Sequence, residues 1–151
     1  MEQKSICKTS MVAALLMIVG GLLASATPAT ADSEDEACSN RTLRGDYGSA
    51  IEGEILGFGP VRGVVMTHFD GKGNFTQVDH VVVNGTPPAL AWTPGSGTYS
   101  VNPDCTGAAQ IIIPGSPFSP VNLHFVVVKQ GKEIHQVVDA NAVSSVGFRR
   151  D

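Results

Sequence analysis

Short runs rich in Val, Ile, Thr, Phe and Tyr, divided by Gly, Pro, Asn and Asp, fill the sequence from Tyr47 onward. No window keeps apolar residues at i, i+3, i+4 and i+7 over three helical turns, so we expect almost no helix. Seventeen Gly and nine Pro fit a domain with many tight turns. The pattern predicts nine candidate strands: residues 46–56, 61–69, 74–84, 90–93, 97–101, 108–113, 121–129, 133–140 and 143–149.

The residues between these runs indicate short antiparallel connections. Residues 70–74 (DGKGN) form a predicted hairpin loop with two glycines available for positive φ. Residues 102–104 (NPD) are typical of a β-turn, and Gln130-Gly131 predicts a two-residue hairpin connection. Eight or nine strands joined in this way predict an all-β, antiparallel up-and-down barrel or a sandwich over residues 46–150. We expect the barrel, because closure removes exposed strand edges.

The N-terminal segment has the three parts of a secretory signal peptide. Lys4 and Lys8 precede an apolar run over residues 11–24, and small residues follow up to an Ala-Thr-Ala site at residues 29–31. The uninterrupted apolar core is shorter than the roughly 20 residues that cross a bilayer. We therefore expect residues 1–31 to be cleaved and the protein to be secreted or periplasmic. The acidic and polar residues 32–45 predict a flexible lead-in.

The mature chain keeps two cysteines, Cys38 and Cys105. In an exported chain an even pair indicates a disulfide. Such a bond would join the N-terminal segment to the turn at residues 102–107. The alternatives, free thiols or half of a metal site, have no nearby Cys or His at ligand spacing to support them. We therefore expect a disulfide and no metal site.

Charge excludes several classes of partner. The chain has ten Lys and Arg against fourteen Asp and Glu, and removing residues 1–31 leaves eight against thirteen, a net charge of −5. The remaining basic residues form no stripe, whereas nucleic-acid binding needs a basic face. We expect no nucleic acid, no stable membrane insertion after cleavage and no cofactor, because glycine-rich nucleotide-binding loops are also missing. The oligomeric state is left open.

Four segments together resemble one known protein family. They are "CSNRTLRGDYG" at residues 38–48, "FDGKGNFT" at 69–76, "GTYSVNPDCTG" at 97–107 and "GKEIHQVV" at 131–138. The chain resembles, over residues 38–150, a family of small secreted bacterial proteins. The resemblance implies a calycin-like barrel similar to that of allene oxide cyclase, with Cys38 and Cys105 at the family's disulfide positions. It implies no catalytic residues, because that family has no established function.

Three ionisable residues are candidate catalytic groups: Glu52, Glu133 and His135. Glu52 alternates with small residues, and it would be an acid or base shielded from water if its face of the strand points inward. A connection at residues 130–131 places Val126 opposite His135, so that Glu133 and His135 share one face of their strand. The alternative is that these faces are the water-facing side of the barrel. Alternation alone does not decide which face points inward.

Aromatic residues are predicted to fill the barrel or to contact a ligand within it. The candidate ligand-binding residues are Tyr47, Phe69, Phe75, Trp92 and Phe125. An eight-stranded barrel is just wide enough to hold one small ligand. Residues 85–97 (GTPPALAWTPGSG) form an apolar loop that could be a lid or a contact patch.

Three functional hypotheses follow from this sequence. The leading one is a non-enzymatic binder of a small apolar molecule, by analogy with barrels of this size. The second is a cofactor-free barrel enzyme of the isomerase or cyclase type. The third is an exterior structural or interaction protein that uses the loop around Trp92. A binder needs an open apolar cavity, an enzyme needs an inward ionisable group as well, and a structural protein needs neither.

Overall fold

A computed structural model of the chain describes residues 37–151. Eight strands pair antiparallel in sequence order and close into a barrel, which confirms the predicted all-β up-and-down fold. The strands are β1 (Arg44–Ile55), β2 (Gly59–Asp70), β3 (Asn74–Val83), β4 (Thr93–Val101), β5 (Thr106–Ile112), β6 (Val121–Val128), β7 (Glu133–Val138) and β8 (Ala142–Arg149). The predicted signal peptide and residues 32–36 of the predicted lead-in lie outside the described residues.

The predicted strand at residues 90–93 is loop in the structure except for Thr93, and the predicted strand at 97–101 begins earlier, at Thr93. Residues 90–93 were expected to form a strand separate from 97–101, but β4 runs without a break from Thr93 to Val101. Residues 94–96, which were left between the two predicted strands, include Pro94, and proline removes a ladder hydrogen bond. Pro94 is tolerated because it pairs with Val78 of β3 only, while the pairing with β5 begins at Ser96. Residues 90–92 belong to the preceding loop.

The hairpin loop between β2 and β3 lies where the sequence predicted it. The Asp70 carboxylate accepts hydrogen bonds from the Asn74 side chain at 2.9 Å, the Asn74 backbone at 3.0 Å and the Lys72 backbone at 2.6 Å. These bonds, led by the one from the Asn74 side chain, lower the pKa of Asp70 to about 2. An ionised Asp70 therefore closes this turn.

The connection between β6 and β7 is longer than predicted, although its register is as predicted. Val126 lies opposite His135, which confirms the expected pairing. The pairing ends at Val128 and Glu133, so the loop has four residues and includes a 3-10 helix at Lys129–Gly131 instead of a two-residue turn. The last of these, Gly131, has a φ of 80°. This loop also packs against the N-terminal segment, with Gly131 close to Thr42.

Odd-numbered residues of β1 to β6 point into the barrel, and glycines make room for the largest of them. Phe75 of β3 lies opposite Gly97 of β4, and Phe125 of β6 lies opposite Gly107 of β5. A Cβ atom added at Gly97 would come within 2.8 Å of Phe75 Cε1, and one at Gly107 would collide with the Phe125 ring. These two inward phenylalanines therefore lie over glycines of the neighbouring strands, which packs this part of the barrel interior closely.

The hydrophobic core lies at one end of the barrel, which the N-terminal segment covers. The core consists of Leu43, Tyr47, Phe69, Phe75, Tyr99, Leu123, Phe125, Val127 and Ile134. Leu43 is fully buried and is preceded by a 3-10 helix at Asn40–Thr42. The Tyr99 hydroxyl donates to the Leu43 carbonyl at 2.9 Å, and the Asn40 side chain accepts from the Val101 backbone at 2.8 Å. We call residues 38–43 the plug.

Two further links fix the plug. Cys38 and Cys105 form the predicted disulfide, with their Cα atoms 5.0 Å apart. The Tyr47 hydroxyl donates to the Gly131 carbonyl of the β6–β7 loop, which packs against Thr42. Burial raises the pKa of both Tyr47 and Tyr99, so both phenols stay protonated donors. The plug, the disulfide and the two tyrosines close one end of the barrel.

Candidate functional site

The other end of the barrel contains an open cavity of about 800 Å³. Its floor is the upper layer of the hydrophobic core, which includes Phe69, Phe75 and Phe125. Above the floor the inward positions carry mostly Val, Ile, Leu and Pro side chains. Cavities of about 300–1,000 Å³ with mainly apolar walls are typical of small-molecule sites. The barrel interior is therefore filled at the plug end and hollow at the other.

Four connections surround the mouth of this cavity, because every second connection of an up-and-down barrel lies at the same end. They are the turn at residues 56–58 and the loops at 84–92, 113–120 and 139–141. Phe58 and Phe118 contact each other edge to face with ring centroids 4.9 Å apart, and the Leu56 amide donates to the Asn141 side chain at 3.1 Å. Contacts between loops therefore hold part of the rim in place.

A small polar patch interrupts the apolar wall on β2 and β3. It consists of Thr67, Gln77 and Asp79, all of which line the cavity. Gln77 lies directly opposite Thr67, and its Nε2 donates to Asp79 Oδ2 at 3.0 Å. Asp79 is only 5 % exposed, and its burial raises the pKa of the carboxyl, against a smaller lowering by the Gln77 hydrogen bond.

This polar patch was not among the sites predicted from the sequence. Gln77 and Asp79 lie on the same face of β3 as Phe75 and Val81. Two polar side chains among apolar ones on one strand face are the sequence signal that could have identified the patch. An acidic side chain on an otherwise apolar strand face is unusual when that face is buried. To use this signal, one must also know which face of β3 points inward, and that is known only from the closed barrel.

The three predicted catalytic residues lie on the outer surface of the barrel. The Glu52 side chain is 68 % exposed and lies 4.0 Å from Arg62. His135 Nε2 lies 2.6 Å from Glu133 Oε1. The face of β1 that carries Glu52 points outward, so the condition for shielding this residue from water is not met. None of the three lines the cavity.

Glu133 is the only one of the three that is shielded from solvent, with its side chain 9 % exposed. Its carboxylate forms an ion pair with Lys129 and contacts His135. Hydrogen bonding to Lys129, followed by that to His135, lowers the pKa of Glu133. Glu133 is thus an ionised partner of two surface side chains, and it is separated from the cavity by the wall of the barrel.

The five predicted ligand-binding aromatics occupy three different places. Phe69, Phe75 and Phe125 form the floor of the cavity. Tyr47 lies below that floor, edge to face with Phe69 at a centroid distance of 5.3 Å. Trp92 is 55 % exposed on the rim loop, with its ring centroid 6.3 Å from that of His80. The structure therefore brings three of the five together at the cavity.

The outer surface carries several exposed apolar side chains besides those of the rim. Met66 and Val78 lie opposite each other on β2 and β3, and Phe148 of β8 lies opposite Gly48 of β1. Val78 and the other exposed valines, such as Val64 and Val126, fit strand propensity on either face of a sheet. They explain why apolar alternation did not identify the inward face.

Within residues 37–151, no group of three or more His, Cys, Asp or Glu side chains is placed to hold a metal ion. No helix of that part of the chain is long and apolar enough to cross a membrane. The remaining histidines on the outer surface pair with single carboxylates, His68 with Asp46 at 2.7 Å and His124 with Asp139 at 2.9 Å. The cavity is therefore the feature with the clearest capacity to bind a ligand.

Comparison with known proteins adds no assignment, because neither a protein-family model nor a curated protein matches the chain.

Proposed function

We propose that the protein is an exported carrier that binds one small apolar molecule inside its barrel. The observation that supports this proposal is the cavity of about 800 Å³ above the phenylalanine floor. An eight-stranded barrel can be filled completely by its own side chains, and such a barrel has no room for a ligand. Here the interior is filled only at the plug end, and burying an apolar ligand in the remaining space would remove apolar surface of both partners from water.

The alternatives have less support from the described residues. A cofactor-free enzyme that used Glu52, Glu133 or His135 would need those groups at the substrate, and they lie outside the barrel wall. A purely structural protein would need no cavity. Membership of the calycin-like secreted family, with export through the signal peptide, agrees with the closed barrel and the disulfide and forms part of the same proposal.

Binding of an uncharged apolar dye tests this proposal. N-phenyl-1-naphthylamine fluoresces strongly in apolar surroundings, and we expect a saturable increase with one site per chain. Val81 lines the cavity, whereas Val64 is an exposed residue of the outer face on the neighbouring strand. Val81→Trp should occupy part of the cavity and weaken dye binding about tenfold, which corresponds to about 1.4 kcal/mol. Val64→Trp is the matched control and should leave the affinity within about twofold.

Two results would contradict the proposal. One is the lack of saturable dye binding by the wild-type protein. The other is an equal effect of Val81→Trp and Val64→Trp, which would locate the dye outside the barrel. Circular dichroism of each variant checks that the strands are retained.

A further inference from the structure

One carboxyl group lies inside the apolar cavity with one of its two oxygens lacking a hydrogen-bond partner among the described residues. Asp79 Oδ2 accepts the hydrogen bond from Gln77, and among residues 37–151 no partner is found for Oδ1. Asp79 lines the cavity and is 5 % exposed. A ligand in the cavity can therefore reach Oδ1, while bulk water reaches it poorly.

Among the described residues, the one positive charge that acts on Asp79 is that of His80, and its effect on the Asp79 pKa is smaller than those of burial and of the Gln77 hydrogen bond. Its neighbours on the adjacent strands are Val65 of β2 and Thr93 of β4, which are both uncharged. His80, the next residue along β3, has its Nδ1 2.8 Å from the Ala91 carbonyl, and it does not line the cavity. The described lining residues include no Lys, Arg or His. A buried carboxylate without a cation is costly, because it loses hydration without gaining an ion pair.

The second acidic residue of the wall differs from Asp79. Asp139 lies at the mouth, its side chain is 43 % exposed, and its Oδ1 is 2.9 Å from His124 Nδ1. Its carboxylate already has contact with solvent and with the His124 ring. Only Asp79 would gain a substantial interaction from a charge that the ligand brings.

We propose that the ligand of the cavity is an apolar molecule with a basic amine, whose N–H group donates to Oδ1 of Asp79. This inference rests on the proposed binding function and narrows its ligand class. A primary alkylamine is already an ammonium at neutral pH, like a lysine side chain, so its positive charge pairs with the Asp79 carboxylate inside the barrel. The hydrocarbon part of the ligand lies on the floor formed by Phe69, Phe75 and Phe125.

The same charges disfavour acidic ligands. A fatty carboxylate or a phosphate would bring a second negative charge into a wall whose described ionisable residues are both acids. Like charges in a site with few waters repel more strongly than in bulk water. A neutral alcohol of the same length should be intermediate, because it can donate one hydrogen bond to Asp79 without forming an ion pair.

Displacement of N-phenyl-1-naphthylamine by three twelve-carbon compounds tests the inference. Dodecylamine, 1-dodecanol and dodecanoic acid are compared at pH 7, each below its micelle-forming concentration. We expect dodecylamine to displace the dye at a concentration at least about tenfold lower than dodecanol, which corresponds to about 1.4 kcal/mol. Dodecanoic acid should require more than dodecanol.

Two variants locate the effect. Asp79→Asn keeps the shape of the side chain and should reduce the preference for the amine to within about threefold, with dodecanol displacement unchanged. Asp139→Asn is the matched control, since it removes the other acid of the wall. It should keep the amine preference.

The outcomes separate this inference from the proposed function. If dodecanol displaces the dye but dodecylamine is no better in the wild-type protein, the amine inference is wrong and the carrier proposal stands. The inference is equally overturned if dodecanoic acid is the tightest ligand, if Asp79→Asn keeps the amine preference, or if Asp139→Asn removes it. If the dye does not bind at all, the carrier proposal itself fails.

Discussion

Replacing Cys38 and Cys105 by serine should lower the stability of the barrel by about 4 kcal/mol. The disulfide joins residues 67 positions apart. Loop-closure entropy in the unfolded chain then predicts a contribution of about 4 kcal/mol, from a loop of that length at 25 °C. Domains of this size are stable by about 5–15 kcal/mol. The disulfide therefore provides a large share of the free energy of unfolding.

Unfolding in guanidinium chloride, followed by circular dichroism of the strands, measures this effect. Fluorescence of Trp92 is a poor reporter, because the side chain is 55 % exposed in the folded protein. The slope of the free energy against denaturant is about 2–6 kcal/mol per molar for small proteins in guanidinium. The midpoint of the double variant should accordingly fall by about 1 M. Reduction of the wild-type protein should give the same decrease.

A less disruptive substitution in the plug serves as the control. Asn40→Ala leaves the disulfide intact but removes the acceptor of the Val101 amide, so it should cost about 1–3 kcal/mol. A midpoint for the double variant within about 0.2 M of the wild-type value would refute the loop-entropy reasoning. It would mean that packing of the plug, with Leu43 fully buried, already holds the N-terminal segment without the covalent link.

Three further substitutions test other parts of the structure by the same unfolding measurement. Leu43→Ala should cost about 2–5 kcal/mol, because it empties a fully buried site beneath the core; a loss below about 1 kcal/mol would contradict the assigned position of the plug. Gly131→Ala should destabilise the protein by about 1–3 kcal/mol, because the φ of Gly131 is 80° and the new Cβ would collide with the Thr42 carbonyl. Gly115→Ala is the control and should destabilise the protein less, because a Cβ at Gly115 would contact no other atom. Burial raises the pKa of Asp79 in the folded state. The free energy of unfolding of the wild-type protein, relative to that of Asp79→Asn, should therefore be greatest below pH 3.8 and should decrease as the pH rises through the folded-state pKa. A difference that does not change with pH would contradict the raised pKa.

The sequence predicted most of the fold because turn chemistry and strand alternation are local properties. The loop at residues 70–74 and the pairing of Val126 with His135 both follow from residues close in the chain. The continuous strand β4 could not be predicted in this way, because β4 can contain Pro94 only if its pairing with β5 begins after that residue. The position at which this pairing begins is set by the neighbouring strand, and the residues around Pro94 do not indicate it.

The candidate site was predictable only in part, because the inward face of each strand is a property of the closed barrel. Exposed valines such as Val64 and Val126 make the outer face as apolar as many buried faces. Phe75 opposite Gly97 and Phe125 opposite Gly107 mark the inward face, but this signal is visible only once the register is known. Asp79 could not be identified before that step, and Glu52 was considered for a buried role that the outward face of β1 does not provide.

The closed end of the barrel should affect stability and the open end should affect ligand binding, since the two ends share only the residues of the cavity floor. No described residue of the plug or of the turn at residues 102–105 lines the cavity. Reducing the disulfide should therefore lower the free energy of unfolding while leaving dye affinity within about twofold, measured where the reduced protein is still folded. A dye at 100 times its dissociation constant should stabilise oxidised and reduced protein alike by about 2.7 kcal/mol. A more than tenfold loss of affinity on reduction would instead show that the plug supports Phe69 and Phe75 in the position that the ligand needs, so that the disulfide would regulate binding as well as stability.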